Sequence, residues 1–175
     1  MEQPVTSTLT KGLVISLILI VLALTIYFAG IEVNGPAQWI GYAIFIGGII
    51  WSIYSYGKQL SYNSTFGNYF AHGFKVSATV TAIMIIYIII FIIIFPDFKE
   101  KAMEQARAGM RQKNNMTEEQ MTVALEWTRK FFLVLLIAGT LLGYLIMGAL
   151  AALVGAAITK KQPNTFAADI NQIGT

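Results

Sequence analysis

The sequence predicts an all-α membrane protein built as a four-transmembrane-helix bundle. Of the 175 residues, 56% are apolar and only 12% are charged. Soluble domains carry about 25% charged residues, so this chain lacks the charge to cover a soluble surface. The apolar residues also lie in four long runs separated by polar connections. These observations exclude a soluble domain, a nucleic-acid-binding module and a disordered tail.

Each of the four apolar runs is long enough to cross a bilayer, which takes about 20 helical residues. The runs cover about residues 12–29, 36–56, 76–95 and 131–158. Isoleucine dominates the end of the third run, a composition that would suggest a buried strand in water. Isolated strands cannot satisfy their backbone in lipid, and the runs lack the alternation of barrel strands. All four are therefore predicted to be helices.

The first run could also be a cleaved signal peptide, because Lys11 gives it a positive flank. Its apolar stretch is longer than the usual stretch of about 7–15 residues, and no A-x-A-like cleavage site follows it. We therefore expect an uncleaved first span, and a single membrane domain over residues 1–175.

An aromatic stripe precedes the third span. Phe66, Tyr69, Phe70 and Phe74 recur at the spacing of one helix face, and Ser64 is a suitable N-cap. The stripe predicts a short interfacial helix before the third span, or else the first turns of that span. Its role would be anchoring and packing, or the binding of a lipid or a partner.

The connection between the third and fourth spans holds 13 of the 21 charged residues. Pro96 ends the third span because a proline ring blocks helix continuation. Asn114 and Asn115 break the following helix, and Thr117 begins a capping box. Residues 97–130 are therefore predicted to form an extramembrane helical hairpin. It is either a docking surface for a partner or a solvated hairpin folded on itself or on the bundle.

The distribution of basic residues gives conflicting indications of orientation. With the N-terminus inside, five basic residues would face the cytoplasm: Lys11, Lys58, Lys75, Lys160 and Lys161. The third connection opposes them with seven: Lys99, Lys101, Arg107, Arg111, Lys113, Arg129 and Lys130. The first connection holds Glu32 and no Lys or Arg, and the first hairpin often dominates. We expect an inner-membrane protein with both termini in the cytoplasm.

The sequence offers little for catalysis. Cysteine is absent, His72 is the only histidine, and no ionisable residue lies in the middle of a predicted span. A lone histidine cannot build a metal site or a hydrolase triad, and intramembrane charges normally mark function. No catalytic, cofactor or metal site is therefore predicted. His72 is interpreted as an ordinary interfacial residue.

The fourth span carries a row of small residues. Small residues on one face let helix backbones approach closely, since packing drives helix association in lipid. We predict helix packing at Gly139, Gly143, Gly148, Ala152 and Gly155. This face would serve packing inside the bundle, association with a partner, or both.

Together these features resemble a bacterial integral membrane family, domain of unknown function 4199. The resemblance rests on T-F-G-x-x-F-x-x-G-F over residues 65–74, Pro96-Asp97-Phe98, M-T-E-E-Q over residues 116–120 and the glycine-rich last span. It covers nearly the whole chain. The family brings no established activity, so it implies no catalytic residue.

We expect a non-enzymatic accessory or scaffold subunit that acts through helix packing and its hairpin. Its partners would be the lipid bilayer and either another membrane protein or a second copy, and not nucleic acid. The alternative is a small oligomeric transporter or channel. A membrane enzyme comes third, because Glu32 and Asp97 are its only candidate acid pair.

Overall fold

The computed structural model describes three stretches of the chain: residues 7–31, 37–112 and 117–159. Four of its helices are long and apolar enough to cross a membrane: α1 (Thr8–Phe28), α2 (Ala37–Gln59), α3 (Phe66–Ile94) and α6 (Phe132–Thr159). Two shorter, polar helices lie between α3 and α6 in the sequence: α4 (Asp97–Gln112) and α5 (Glu118–Lys130). Those stretches contain no strand. The predicted all-α chain with four long apolar helices is confirmed.

Parts of the sequence prediction fall outside the described residues. They comprise Glu32 in the first connection, Pro36 at the start of the second span, Lys113 to Met116 around the predicted break, and the tail with Lys160 and Lys161.

The chain divides into two compact units. The first unit contains α1, α2, the part of α3 up to Ile83 and the part of α6 from Gly143 onward. The second unit contains residues 84–142, which include α4 and α5.

Side chains approach the backbones of neighbouring helices closely at several glycines of the first unit. A Cβ built on Gly48 of α2 would lie 2.9 Å from Cγ1 of Ile15 in α1. One built on Gly155 of α6 would lie 2.7 Å from Cδ1 of Ile53 in α2. Because interiors are packed as densely as organic crystals, these positions admit only a glycine without rearrangement.

The outer side of α1 is apolar and exposed. Leu13, Leu17 and Val21 expose 49%, 64% and 56% of their surface. The inner side buries Ile15 and Leu19. Contiguous apolar surface of this kind needs a cover, which the hydrocarbon of a bilayer supplies. The chain is accordingly a multi-pass membrane protein.

Helix α3 is continuous from Phe66 to Ile94, so the aromatic stripe forms its first turns. A separate interfacial helix is not confirmed. No proline interrupts the stretch. Gly73 lies within it, and a Cβ built on this glycine would lie 2.5 Å from Cδ1 of Ile53 in α2. Helix α3 therefore approaches α2 closely within this stretch.

In the second unit, α4 and α5 contact each other. Arg129 donates to Glu100 across the two helices at 2.6 Å, and Arg111 lies 3.5 Å from Glu118. The capping box at Thr117 is present, as predicted: its side chain accepts from the Gln120 amide. The two helices are thus observed, whereas their placement outside the membrane is not confirmed.

Candidate functional site

A buried polar cluster joins α1, α2 and α3 in the first unit. The Lys11 ammonium donates to the carbonyl oxygen of Ser52 at 3.1 Å. The Ser52 hydroxyl and Nε2 of His72 are hydrogen-bonded at 3.1 Å. The exposed fractions of Lys11, Ser52 and His72 are only 2%, 0% and 7%. One serine of α2 therefore links a basic residue of α1 to a basic residue of α3.

Two tyrosines complete this polar cluster. The ring of Tyr56 stacks on His72 with centroids 4.1 Å apart and an interplanar angle of 8°. The Lys11 ammonium lies 5.9 Å from the centre of the same tyrosine ring, a cation–π distance. Tyr69 is fully buried and meets Tyr56 edge-on at 6.1 Å. The Tyr56 ring thus lies beside both basic groups, and Tyr69 packs against Tyr56.

The charge of Lys11 has no carboxylate partner within the described part of the chain. An unpaired ammonium is costly to bury, and ionisable groups inside membrane helices mark function by default. Among the described residues, this ammonium contacts the Ser52 carbonyl and lies near the Tyr56 ring. The described residues contain no group of three or more His, Cys, Asp or Glu side chains that could hold a metal ion.

Sequence reasoning missed this cluster because hydropathy placed Lys11 and His72 at the flanks of spans. In the structure α1 begins at Thr8, behind an N-cap from Ser7, so Lys11 lies within its first turn. The available signal was periodicity: Lys11, Ile15 and Leu19 recur every four residues and share the buried face.

The predicted helix-packing residues fall into two groups. Gly148 meets Ser77, Gly155 meets Ile53, and Ala152 is fully buried. By contrast, a Cβ built on Gly139 or Gly143 meets nothing within 4 Å among the described residues. Close helix approach therefore occurs in the second half of α6, whereas no described side chain packs closely on Gly139 or Gly143.

The predicted interfacial aromatics do not share one environment. Tyr69 is fully buried against Tyr56, whereas Phe74 exposes 38% of its surface. Phe70 stacks on Phe74 with centroids 6.0 Å apart, and Phe66 is half-buried at the start of α3. One of the four therefore belongs to the polar cluster rather than to an exposed stripe.

The second unit has a groove of about 270 Å³ between α4 and α5. Its lining mixes acidic, basic and apolar side chains: Glu100, Met103, Glu104, Arg107, Thr122, Leu125, Glu126 and Arg129. This composition is closer to the mixed polar and apolar surface of protein–protein interfaces than to the largely apolar lining of small-molecule pockets.

Comparison with known proteins gives one match. A family model described as "Protein of unknown function (DUF4199)" matches residues 10–161, which include every residue of the polar cluster. No curated protein and no solved structure matches the chain. Because the family model spans most of the sequence, the chain belongs to the DUF4199 family of proteins of unknown function.

Proposed function

We propose that this protein is a non-enzymatic accessory or scaffold subunit of a bacterial inner membrane, with both termini in the cytoplasm. The observation that carries the proposal is the close approach of helices at glycines of the first unit. Side chains of neighbouring helices occupy the space beside Gly12, Gly48, Gly73, Gly148 and Gly155. Close packing of this kind supports a structural role, whereas a transport path needs a polar cavity.

Two surfaces support an association role. The groove between α4 and α5 offers the Arg129–Glu100 ion pair and further charged side chains to a polypeptide partner. The small-residue face at Gly139 and Gly143 adds a place where another helix backbone can approach closely. Both surfaces lie away from the polar cluster in the sequence.

Site-specific photocrosslinking in native membranes tests the scaffold proposal. A photoreactive residue at Thr122, in the groove, should give a defined product with a membrane protein or a second copy. The matched control at Leu17, on the apolar face of α1, should give lipid adducts only. A protein that purifies monomeric in mild detergent, with no crosslinked product from Thr122, would contradict the proposal.

The second candidate is a small oligomeric transporter or channel. The buried pair of Lys11 and His72 favours it, because ionisable groups in membrane helices line ion and proton paths in transporters. Purified protein in liposomes would then carry ions or protons, and Lys11→Met would reduce the flux. Absence of flux with both the natural protein and the Lys11→Met variant would contradict the transporter candidate.

A further inference from the structure

Helix α5 carries an apolar stripe with a large exposed surface. Val123, Trp127 and Phe131 follow one another at intervals of four and expose 51%, 61% and 38% of their surface. The other side of α5 is occupied, because Met121 is buried and Arg129 pairs with Glu100. The stripe is therefore the outward face of α5 and its C-cap.

The stripe has a cation beside its aromatic end. Trp127 stacks on Phe131 with centroids 5.4 Å apart and an interplanar angle of 17°. The Lys130 ammonium lies 6.0 Å from the Trp127 ring centre and 5.7 Å from that of Phe131. An aromatic pair with an adjacent lysine is the composition that proteins place at membrane–water boundaries.

The stripe also continues into the apolar surface of α6. The Phe131 amide donates to the Trp127 carbonyl at 3.0 Å, and the Leu135 amide donates to the Phe131 carbonyl at 2.9 Å. Backbone hydrogen bonds thus cross the junction between the helices. Just beyond it, Val134 of α6 is 63% exposed. The lipid-facing surface of a spanning helix therefore runs directly into the stripe.

Aromatic contacts place the start of α4 beside the ends of the apolar segments in the same unit. The rings of Phe91 in α3 and Phe98 in α4 meet edge-on at 5.3 Å. The Lys99 ammonium lies 5.9 Å from the ring centre of Phe132, the first residue of α6. Aromatic and basic groups thus surround the point where the chain leaves the apolar helices, as in an aromatic belt.

We propose that α5 lies in the headgroup region of the same bilayer that its spans cross. Val123, Trp127 and Phe131 enter the upper acyl chains, and Lys130 reaches the lipid phosphates. The partner of this face is phospholipid, and the face that lines the α4–α5 groove stays open to water. The inference is independent of the scaffold proposal, because it concerns the opposite side of α5.

Depth-dependent quenching of Trp127 fluorescence tests this placement. The variant Trp39→Phe/Trp51→Phe leaves Trp127 as the only tryptophan. Reconstitution into phosphatidylcholine vesicles, at a low ratio of protein to lipid, allows quenching by lipids brominated at different chain depths and by aqueous acrylamide. We expect the strongest quenching from bromine nearest the headgroup and weak quenching by acrylamide.

A matched control puts the reporter on the opposite face of α5. Glu118 lies nine residues before Trp127, which is about two and a half helical turns. In the background Trp39→Phe/Trp51→Phe/Trp127→Phe, Glu118→Trp should respond to acrylamide and hardly to brominated lipid. Circular dichroism checks that both proteins keep their helices. The proposal is overturned if Trp127 responds to acrylamide as the control does, or if neither quencher reaches it.

Discussion

Gly148 and Gly139 are two glycines of one helix with opposite surroundings. A Cβ on Gly148 would lie 2.5 Å from Cβ of Ser77, whose hydroxyl donates to the Tyr144 carbonyl at 3.2 Å. Ser77 therefore loses a hydrogen bond if it turns away. Gly139 has no such neighbour in the described part of the chain. The same sequence pattern thus has two structural meanings, which sequence periodicity alone cannot separate.

We predict that Gly148→Ala destabilises the protein by about 1–3 kcal/mol, the usual cost of overpacking. Gly139→Ala is the matched control and should change the free energy of unfolding by less than about 0.5 kcal/mol. Unfolding by sodium dodecyl sulfate in mixed micelles measures both. Equal destabilisation by the two substitutions would contradict the contact between α6 and Ser77.

The polar cluster predicts opposite effects for two of its residues. Ser52→Ala removes the buried partner of His72 and should cost about 1–3 kcal/mol, the penalty of an unsatisfied polar group. Lys11→Met removes a buried ammonium that has no described carboxylate and should leave stability unchanged or raise it. Unfolding by sodium dodecyl sulfate in mixed micelles measures the free energy of unfolding of both variants. A Lys11→Met protein as unstable as Ser52→Ala would contradict this prediction.

At the residue scale, the surroundings of residues at the ends of membrane spans are hard to predict from sequence. Hydropathy predicts Lys11 and His72 at span boundaries, because it measures transfer from water and not contact with a neighbouring helix. Both are hydrogen-bonded to Ser52, which is 41 residues from Lys11 and 20 residues from His72. Pairings of that separation leave no local signal in a single sequence.

At the scale of elements, local chemistry was the better guide. Pro96 follows the end of α3 at Ile94, and Thr117 caps α5, both as predicted. The start of α3 was harder to predict from the sequence. The aromatic spacing allows a separate helix or the first turns of the third span, and polar residues such as Lys75 lower the hydropathy there. The structure has one continuous helix, which begins ten residues before Val76. Capping is a local signal, whereas hydropathy and aromatic spacing leave the start of this helix open.

The capping box gives a prediction for α5. Thr117→Ala should cost about 1 kcal/mol of local stability, because the Gln120 amide loses its acceptor. Hydrogen exchange should speed up in the first turn of α5 and stay unchanged in α1. Thr122→Ala is the control, since its hydroxyl donates only to the Glu118 carbonyl within the same helix. Unchanged exchange at the start of α5 in Thr117→Ala would count against this cap.

At the scale of the whole molecule, composition was sufficient to predict the environment. Charged residues are few and concentrated in one connection, and the four apolar helices expose large side chains such as Leu17 and Ile93. Orientation is a different matter, because it depends on a small imbalance between five and seven basic residues. The central claim is therefore that each apolar helix crosses the bilayer, so that the residues flanking α3 face opposite compartments.

Labelling of single cysteines tests this claim most directly, and the natural chain has no cysteine to remove. Asn63→Cys precedes α3 and Gly109→Cys lies in α4, and both positions are exposed. In sealed vesicles of one orientation, a membrane-impermeant maleimide should label only one of the two, and the other only after permeabilisation. The orientation proposed above places Asn63 on the cytoplasmic side. Labelling of both positions from the same side would contradict a spanning α3 and with it the four-helix membrane architecture.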